Sequence, residues 1–336
     1  MIEPNKENRD IFNPEIEDAG ETQLRPRYLS DFIGQKQSKE SLSVFIQATK
    51  GRGTALDHVL LYGPPGLGKT TMAQIIAREL GVNIRVSSGP NLSKPGSLAA
   101  ILTNLQPHDV LFIDEIHRLA VSVEETLYPA MEDFCIDAVV GEGPSARILK
   151  IPVPKFTLIG ATTRPGMLSG PLRDRFGIPL RLQFYEIDEL EAVLKRNAAL
   201  LNINITQEAA HMLATCSRGT PRIAIRLLKR VRDFAEVAGE KEISLASVRQ
   251  AFHALEIDNL GLDSLDRRYI GYILEHYKGG PVGVESIAAG MSEDRDTLED
   301  TIEPHLMHIG FLTRTSRGRM LTQKAMDYMR QKHGFV

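Results

Sequence analysis

Cysteine is nearly absent from this chain: Cys135 and Cys216 are its only two, and they form no C-x-x-C pair. That excludes a disulfide framework and a cysteine-built zinc site, and it points to a reducing compartment, so a cytoplasmic location is expected. No apolar run approaches the length of a membrane span. The first 21 residues hold acids, Pro4 and Pro14 but no apolar core, so they are not a secretory signal and read as a flexible acidic tail. Nor is positive charge in excess. With a net charge of −3, any nucleic-acid surface must come from local patches. Internal repeats and low-complexity segments are also missing.

What the chain does have is length and motifs. Its 336 residues, 42% hydrophobic and 25% charged, suit a globular protein of two or three domains. The stretch that organises it is Gly63-Pro64-Pro65-Gly66-Leu67-Gly68-Lys69-Thr70, a full match to G-x-x-x-x-G-K-[ST]. His58 to Tyr62 reads as a buried strand before it. After it, Met72, Ile75, Ile76 and Leu80 recur at helical spacing over Thr71 to Leu80. Glycines such as Gly66 and Gly68 let successive N–H groups point into one concavity, and the helix N-terminus adds positive potential where the β- and γ-phosphates of ATP would lie. Lys69 supplies a full charge, Thr70 a hydroxyl for Mg2+, and Thr71 the next group in reach of the phosphates.

A second stretch runs Val110-Leu111-Phe112-Ile113-Asp114-Glu115. Four apolar residues ending in two acids predict a central parallel strand with its carboxylates at the edge where open α/β sheets bind ligands. Asp114 would hold Mg2+ through water, and Glu115 would polarise the attacking water. Phe156 to Ala161 predicts another core strand, closing with Thr162 and Thr163, either of which could orient that water. Between these strands, Ile136 to Val140 and Arg147 to Val153 alternate around Gly141-Glu142-Gly143-Pro144-Ser145, which predicts an exposed β-hairpin, either a plain excursion or a docking element. Upstream, Leu24 to Ile33 is an apolar and basic lead-in before a helical Ser38 to Thr49. Leu24, Arg25 and Ile33 could cover a nucleotide base, although core packing explains Phe32 and Ile33 equally well. In Gly170-Pro171-Leu172-Arg173-Asp174-Arg175-Phe176-Gly177 the arginines are either surface charges or the further cation that a P-loop ATPase needs, supplied by a neighbouring subunit.

Downstream the chain reads as helical. Asp188 to Leu201 and Gln207 to Ser217 are amphipathic, with Thr206 an N-cap for the second. Thr220 and Pro221 open a third helix, and Arg222 in its first turn opposes the helix dipole, a hint of an anion nearby. Arg226, Lys229, Arg230 and Arg232 read as a solvated basic face, and Ser244 as the cap of a last helix. Beyond Gly261, helices at Leu265 to Tyr277, Glu285 to Ala289 and Ser292 to Ile309 precede two short strands around Ser316-Arg317-Gly318, the order of a winged helix. Pro304 to Met326 holds no acid, while Arg314, Arg317, Arg319 and Lys324 cluster in or near the wing, as phosphate contacts require.

Taken in order, the P-loop, Leu-Phe-Ile-Asp-Glu, Gly-Ala-Thr-Thr-Arg-Pro, Pro-Leu-Arg-Asp-Arg-Phe and Gly219-Thr220-Pro221-Arg222 resemble an AAA+ ATPase. With the C-terminal winged helix, the chain from about residue 22 onward is similar to the RuvB family of Holliday junction branch migration motors. The resemblance implies a homohexamer around duplex arms of the junction, with Glu115 as catalytic acid, Thr163 as sensor 1 in place of the commoner asparagine, Arg173 as arginine finger and Arg222 as sensor 2. It implies that Leu24, Arg25, Glu132, Asp133, Phe134, Arg175 and Tyr185 line or border the nucleotide, and that Arg295, Arg314 and Arg319 touch DNA. By the same likeness the 139–151 hairpin would dock the junction-binding partner RuvA, with the resolvase RuvC in the full complex.

The fold expected is α/β: a P-loop AAA+ parallel-sheet domain over 22–185, a small all-helical lid over 186–257 and a winged helix over 258–336, after the 1–21 tail. A clamp loader or initiator ATPase is a rival, but the Ser-Arg-Cys finger and zinc cysteines usual there are missing. The intact Asp114-Glu115 pair argues against a DNA scaffold without turnover.

Overall fold

The computed structural model describes residues 24–140 and 147–333. The expected acidic tail and the hairpin turn Gly141 to Ser145 lie outside the described residues. The chain divides into two compact units, Arg25–Gln183 and, together with Leu24, Phe184–Val336.

The first unit is built on a five-stranded parallel sheet in the order β2 (Ile84–Ser88), β3 (Val110–Asp114), β6 (Thr157–Thr162), β1 (Val59–Tyr62), β7 (Ile178–Arg181). Val110, Leu111, Phe112 and Ile113 are all fully buried, as the unbroken apolar run predicts for a strand covered on both faces. Period-two alternation sorts the strand side chains between those faces. Val59, Leu61, Phe112 and Ile159 pack with Leu42 and Ile46 of α1 (Lys36–Arg52) and Met72 and Ile76 of α2 (Lys69–Leu80). Leu60, Leu111, Ile113 and Leu158 pack with Leu98 and Leu102 of α3 (Pro95–Thr103) and Val123 and Leu127 of α4 (Val121–Glu132). Because β6 lies between β1 and β3, its carboxyl end sits between the strand that feeds the P-loop and the strand that ends in acids.

The hairpin is present as β4 (Cys135–Val140) and β5 (Arg147–Pro152), paired antiparallel from Cys135↔Pro152 to Val140↔Arg147. Ile148 and Leu149 on it are exposed.

In the second unit, α6 (Ile187–Leu200), α7 (Gln207–Thr215), α8 (Pro221–Val237) and α9 (Leu245–Ala254) form the helical part, and the stretch expected to be all-helical also holds a short parallel pair, β8 (Asn204–Ile205) with β9 (Glu242–Ile243). Thr206 caps as expected, its hydroxyl accepting from the Ala209 N–H, and Ser244 accepts likewise from Ser247. Thr220 stands at the N-cap of α8 without capping it; its hydroxyl donates to the Ser217 carbonyl instead. The winged helix follows as α10 (Ser264–Tyr277), α11 (Val284–Met291), a helical stretch over 295–308, the strands β10 (Leu312–Thr315) and β11 (Gly318–Leu321), and a last helix, Gln323–His333. Ser292 does not begin the 295–308 stretch. It ends α11 in a left-handed turn (φ 53°), and Asp294 takes the N-cap position instead, without a side-chain capping bond.

Candidate nucleotide site and nucleic-acid interface

The phosphate loop leaves β1 at Tyr62 and is pinned to its neighbour by Gly63 N–H donating to Thr162 O at 3.2 Å. Gly66 and Gly68 take φ of 78° and 95°, values that β-carbon sterics deny to most residues, and a β-carbon on Gly68 would meet the Phe32 ring at 3.3 Å. The helix begins at Lys69, leaving its first N–H groups for an anion. Lys69 is buried, its Nζ donating to the carbonyls of Gly63 at 2.9 Å and Pro64 at 3.0 Å, and Thr71 is buried beside it.

Thr70 Oγ1 donates to Asp114 Oδ2 at 3.4 Å, while Asp114 Oδ1 accepts from the Glu115 N–H at 2.9 Å. A hydroxyl and a carboxylate oxygen this close are the hard donors that Mg2+ favours, and Mg2+ completes its shell with substrate phosphates and water. No cluster of three His, Cys, Asp or Glu among the described residues could hold a metal by itself.

Glu115 lies at φ 47°, left-handed backbone that costs a non-glycine residue about 1–2 kcal/mol. The surroundings enforce it. Gly89 N–H donates to Asp114 O at 2.7 Å, Arg118 N–H donates to Glu115 O at 2.9 Å, and a β-carbon on Gly89 would stand 2.4 Å from Glu115 O. Thr163 Oγ1 donates to Glu115 Oε2 at 3.4 Å, whereas Thr162 is fully buried with its hydroxyl 2.9 Å from His117 Nδ1. That same Nδ1 lies 3.2 Å from Glu115 Oε2, and the His117 side chain is 4% exposed. Sequence reasoning missed His117 and Gly89. Nothing in composition marks either; only their approach to the Glu115 backbone and carboxylate does.

The two arginines near residue 174 differ. Ser169 caps α5 (Gly170–Asp174), accepting from the Leu172 N–H. From it Arg173 projects 58% exposed, 3.9 Å from Asp174. Arg175 is tied down: 3.1 Å to Glu132, a 2.6 Å bond from Nη1 to Pro171 O, and its guanidinium 4.4 Å from the Tyr128 ring centroid. Asp133 closes α4, and Phe134 then turns at φ 51° and meets Phe156 edge-on at 6.2 Å. Glu132 and Phe134, expected at the nucleotide, also contact Arg175 and Phe156 within the first unit.

Arg25 is half-buried in the first unit. In the second unit, Leu24 is buried and its carbonyl accepts from Arg196 Nη1 at 2.9 Å, while buried Tyr185 donates from N–H to Gly219 O at 2.9 Å. Arg222 is half-buried in the first turn of α8. Arg226 departs from the solvated face expected of it, because it turns inward on α8 and is 6% exposed.

The wing also departs from its sequence pattern. No acid lies between Pro304 and Met326 in the sequence, yet the fold brings carboxylates to the arginines from the preceding helices. Arg295 pairs with Glu285 at 2.9 Å and Glu299 at 3.2 Å, Arg314 with Glu303 at 2.6 Å, and Arg319 with Glu299 at 2.6 Å and Glu303 at 2.9 Å. Burial pushes the Glu299 carboxyl up, but hydrogen bonds from Arg295 and Arg319 outweigh it and hold the pKa below its ordinary value. Arg317 is exposed at the turn.

Three domain models match the chain in succession: the Holliday junction DNA helicase RuvB P-loop domain over residues 24–182, the RuvB AAA lid domain over 185–258, and the RuvB C-terminal winged helix domain over 259–330. The chain is 59% identical over 328 residues to the Holliday junction branch migration complex subunit RuvB of Granulibacter bethesdensis, covering 97% of this chain and 91% of that one. It is 58% identical over 312 residues to the RuvB subunit of Rhodospirillum centenum, covering 93% and 86%. Among solved structures, the Thermotoga maritima RuvB Holliday junction branch migration motor superposes with a TM-score of 0.85 at 52% identity, over 92% of this chain and 98% of that one. A point mutant of the same protein gives 0.86 at 52% identity, over 91% and 98%. The likeness runs through P-loop sheet, helical lid and winged helix alike, and this chain belongs to the RuvB family of Holliday junction branch migration motors, ATP-hydrolysing P-loop proteins of the AAA+ class.

Proposed function

We propose that the chain works as a homohexameric ring around a duplex arm of a Holliday junction and moves the branch point by hydrolysing ATP, in the cytoplasm, during recombination and repair. ATP binds with its phosphates on the N–H groups of the P-loop and on Lys69 and Thr71. Thr70 and, through water, Asp114 hold Mg2+, which neutralises phosphate charge. Glu115 takes the proton of the attacking water and Thr163 orients that water. Arg222 serves as sensor 2, and Arg295, Arg314 and Arg319 meet DNA phosphates. We divide the chain as a P-loop domain over 22–185, a lid over 186–257 and a winged-helix head over 258–336. The hairpin docks RuvA, a role that the exposed Ile148 and Leu149 support, and RuvC joins the full complex.

The observation that carries this reading is the convergence of three distant segments on one sheet edge, where Thr70 meets Asp114 and Thr163 meets Glu115. The finger acting across the subunit boundary is assigned to Arg173, whose 58% exposure leaves it reach. The test mixes Arg173→Ala subunits with Lys69→Ala subunits, each inactive alone. Recovered ATPase places the arginine in trans. No recovery at any ratio, with recovery when Arg175→Ala replaces Arg173→Ala, moves the role to Arg175.

A further inference from the structure

Glu303 is fully buried, and four donors, two on each oxygen, fill the acceptor sites of its carboxylate. Oε1 accepts from Tyr269 Oη at 3.0 Å and Arg319 Nε at 2.9 Å; Oε2 accepts from Arg314 Nε at 2.6 Å and Arg319 Nη2 at 3.3 Å. Arg314 and Arg319 face each other directly across the wing ladder. Two like charges at that register repel. A carboxylate beneath them turns the repulsion into a shared bridge and fixes both guanidiniums at one spacing. The backbone is shaped to bring it there. Leu298–Ile302 forms a wide π-turn that ends at Glu303, whose N–H donates to Leu298 O. Pro304, with no N–H of its own, follows at once and cannot continue a regular ladder. Such turns recur at functional positions. The outer guanidinium is not consumed: the Arg314 side chain keeps 43% exposure while paired.

We propose that Glu303 is a positioning residue for duplex DNA: from beneath the wing it holds Arg314 and Arg319 in the arrangement that meets backbone phosphates. The proposal rests on those two arginines being phosphate contacts. Binding through them then loses less side-chain freedom than binding through two mobile arginines, and register along the duplex follows from their fixed spacing.

The test uses the full chain with magnesium, a non-hydrolysable ATP analogue and a fluorescein-labelled blunt duplex of mixed sequence, followed by anisotropy over a salt series. Glu303→Gln makes the wing more positive, so charge alone would tighten binding; positioning requires the opposite, a loss of roughly three- to tenfold, because Arg314 loses the carboxylate that holds it while Arg319 keeps only Glu299. The slope of log affinity against log salt should become shallower by up to about 1.8, the share of two phosphates. In an Arg314→Ala/Arg319→Ala background the same substitution should do nothing further. Binding unchanged or tightened by Glu303→Gln, or an equal loss in the arginine-free background, overturns the proposal. If the arginine double variant itself binds DNA normally, the phosphate-contact reading fails instead. Should Glu303→Gln abolish the cooperative melt, Glu303→Asp keeps the charge and retracts it by one methylene, and a folded Asp variant with undiminished affinity is equally fatal.

Discussion

Arg218 donates from Nη2 to Asp266 Oδ2 at 2.6 Å, and neither side chain reaches solvent to any useful degree, at 3% and 0% exposure. The same guanidinium donates from Nε to Gly261 O at 3.0 Å and lies 3.5 Å from Asp263. Arg218 stands in left-handed backbone, φ 53°, directly before Gly219-Thr220-Pro221-Arg222. One ion pair therefore ties the start of the helix that carries Arg222 to the first helix of the winged-helix part, within the second unit. Burial pushes the Asp266 carboxyl up, and the Arg218 charge opposes it.

Replacing Arg218 by Ala strands a fully buried carboxylate, a change that costs about 3–5 kcal/mol. Denaturant unfolding followed by a probe in the second unit should show a loss of that size, and Arg218→Lys should lose less, because an ammonium keeps the charge beside Asp266 although it gives up the fork that also reaches Gly261 O. A loss below about 1 kcal/mol for Arg218→Ala would show that the pair contributes no more than a surface one.

The acid edge makes a paired prediction. Glu115→Gln should keep nucleotide affinity and lower the ATPase rate on the order of 10²-fold or more, because an amide cannot take the water's proton. Thr163→Val should lower kcat by roughly 10²-fold with little change in KM, as expected for a group acting late. Thr162→Val should show chiefly as lost stability, since its hydroxyl is buried against His117. A Thr162→Val variant with the larger kcat effect would reverse these roles.

Two buried histidines set the acid limit. Burial lowers the pKa of His58, against the Met131 carbonyl and Asp57, which raise it. Its Nε2 lies 3.1 Å from Met131 O and its Nδ1 accepts from the Leu158 N–H at 2.8 Å, so a second proton must break the latter bond. Burial and the Arg218 charge lower His305 further, with Leu260 O opposing. In both, the unfolded chain takes up a proton that the native state refuses once pH falls below about 6.5. Stability is therefore full above that value and declines with falling pH through the range down to the folded pKa. Melting temperatures between pH 7.5 and 5 measure it. His305→Gln, which keeps a donor for Leu260 O, should flatten the second unit's profile, and an unaltered profile would remove His305 as its cause.

The P-loop, the strand ending in Asp114 and Glu115, the hairpin and the winged-helix order were all legible in the sequence, because each is set by short-range spacing: glycine offsets, apolar runs and turn residues. Thr206 and Ser244 were legible as caps for the same reason, while Thr220 was not, since its hydroxyl chose a partner that helix rules do not name. Tertiary structure alone decided which threonine faces Glu115, that Arg175 is clamped by Glu132 and Tyr128 while Arg173 is exposed, that Arg226 turns inward, and that wing arginines far from any acid in sequence are paired with Glu299 and Glu303. Periodicity places a side chain on a face. Which charge meets it there depends on sheet order and on the wide turn before Glu303, and these are fixed by packing between segments that the chain itself keeps far apart.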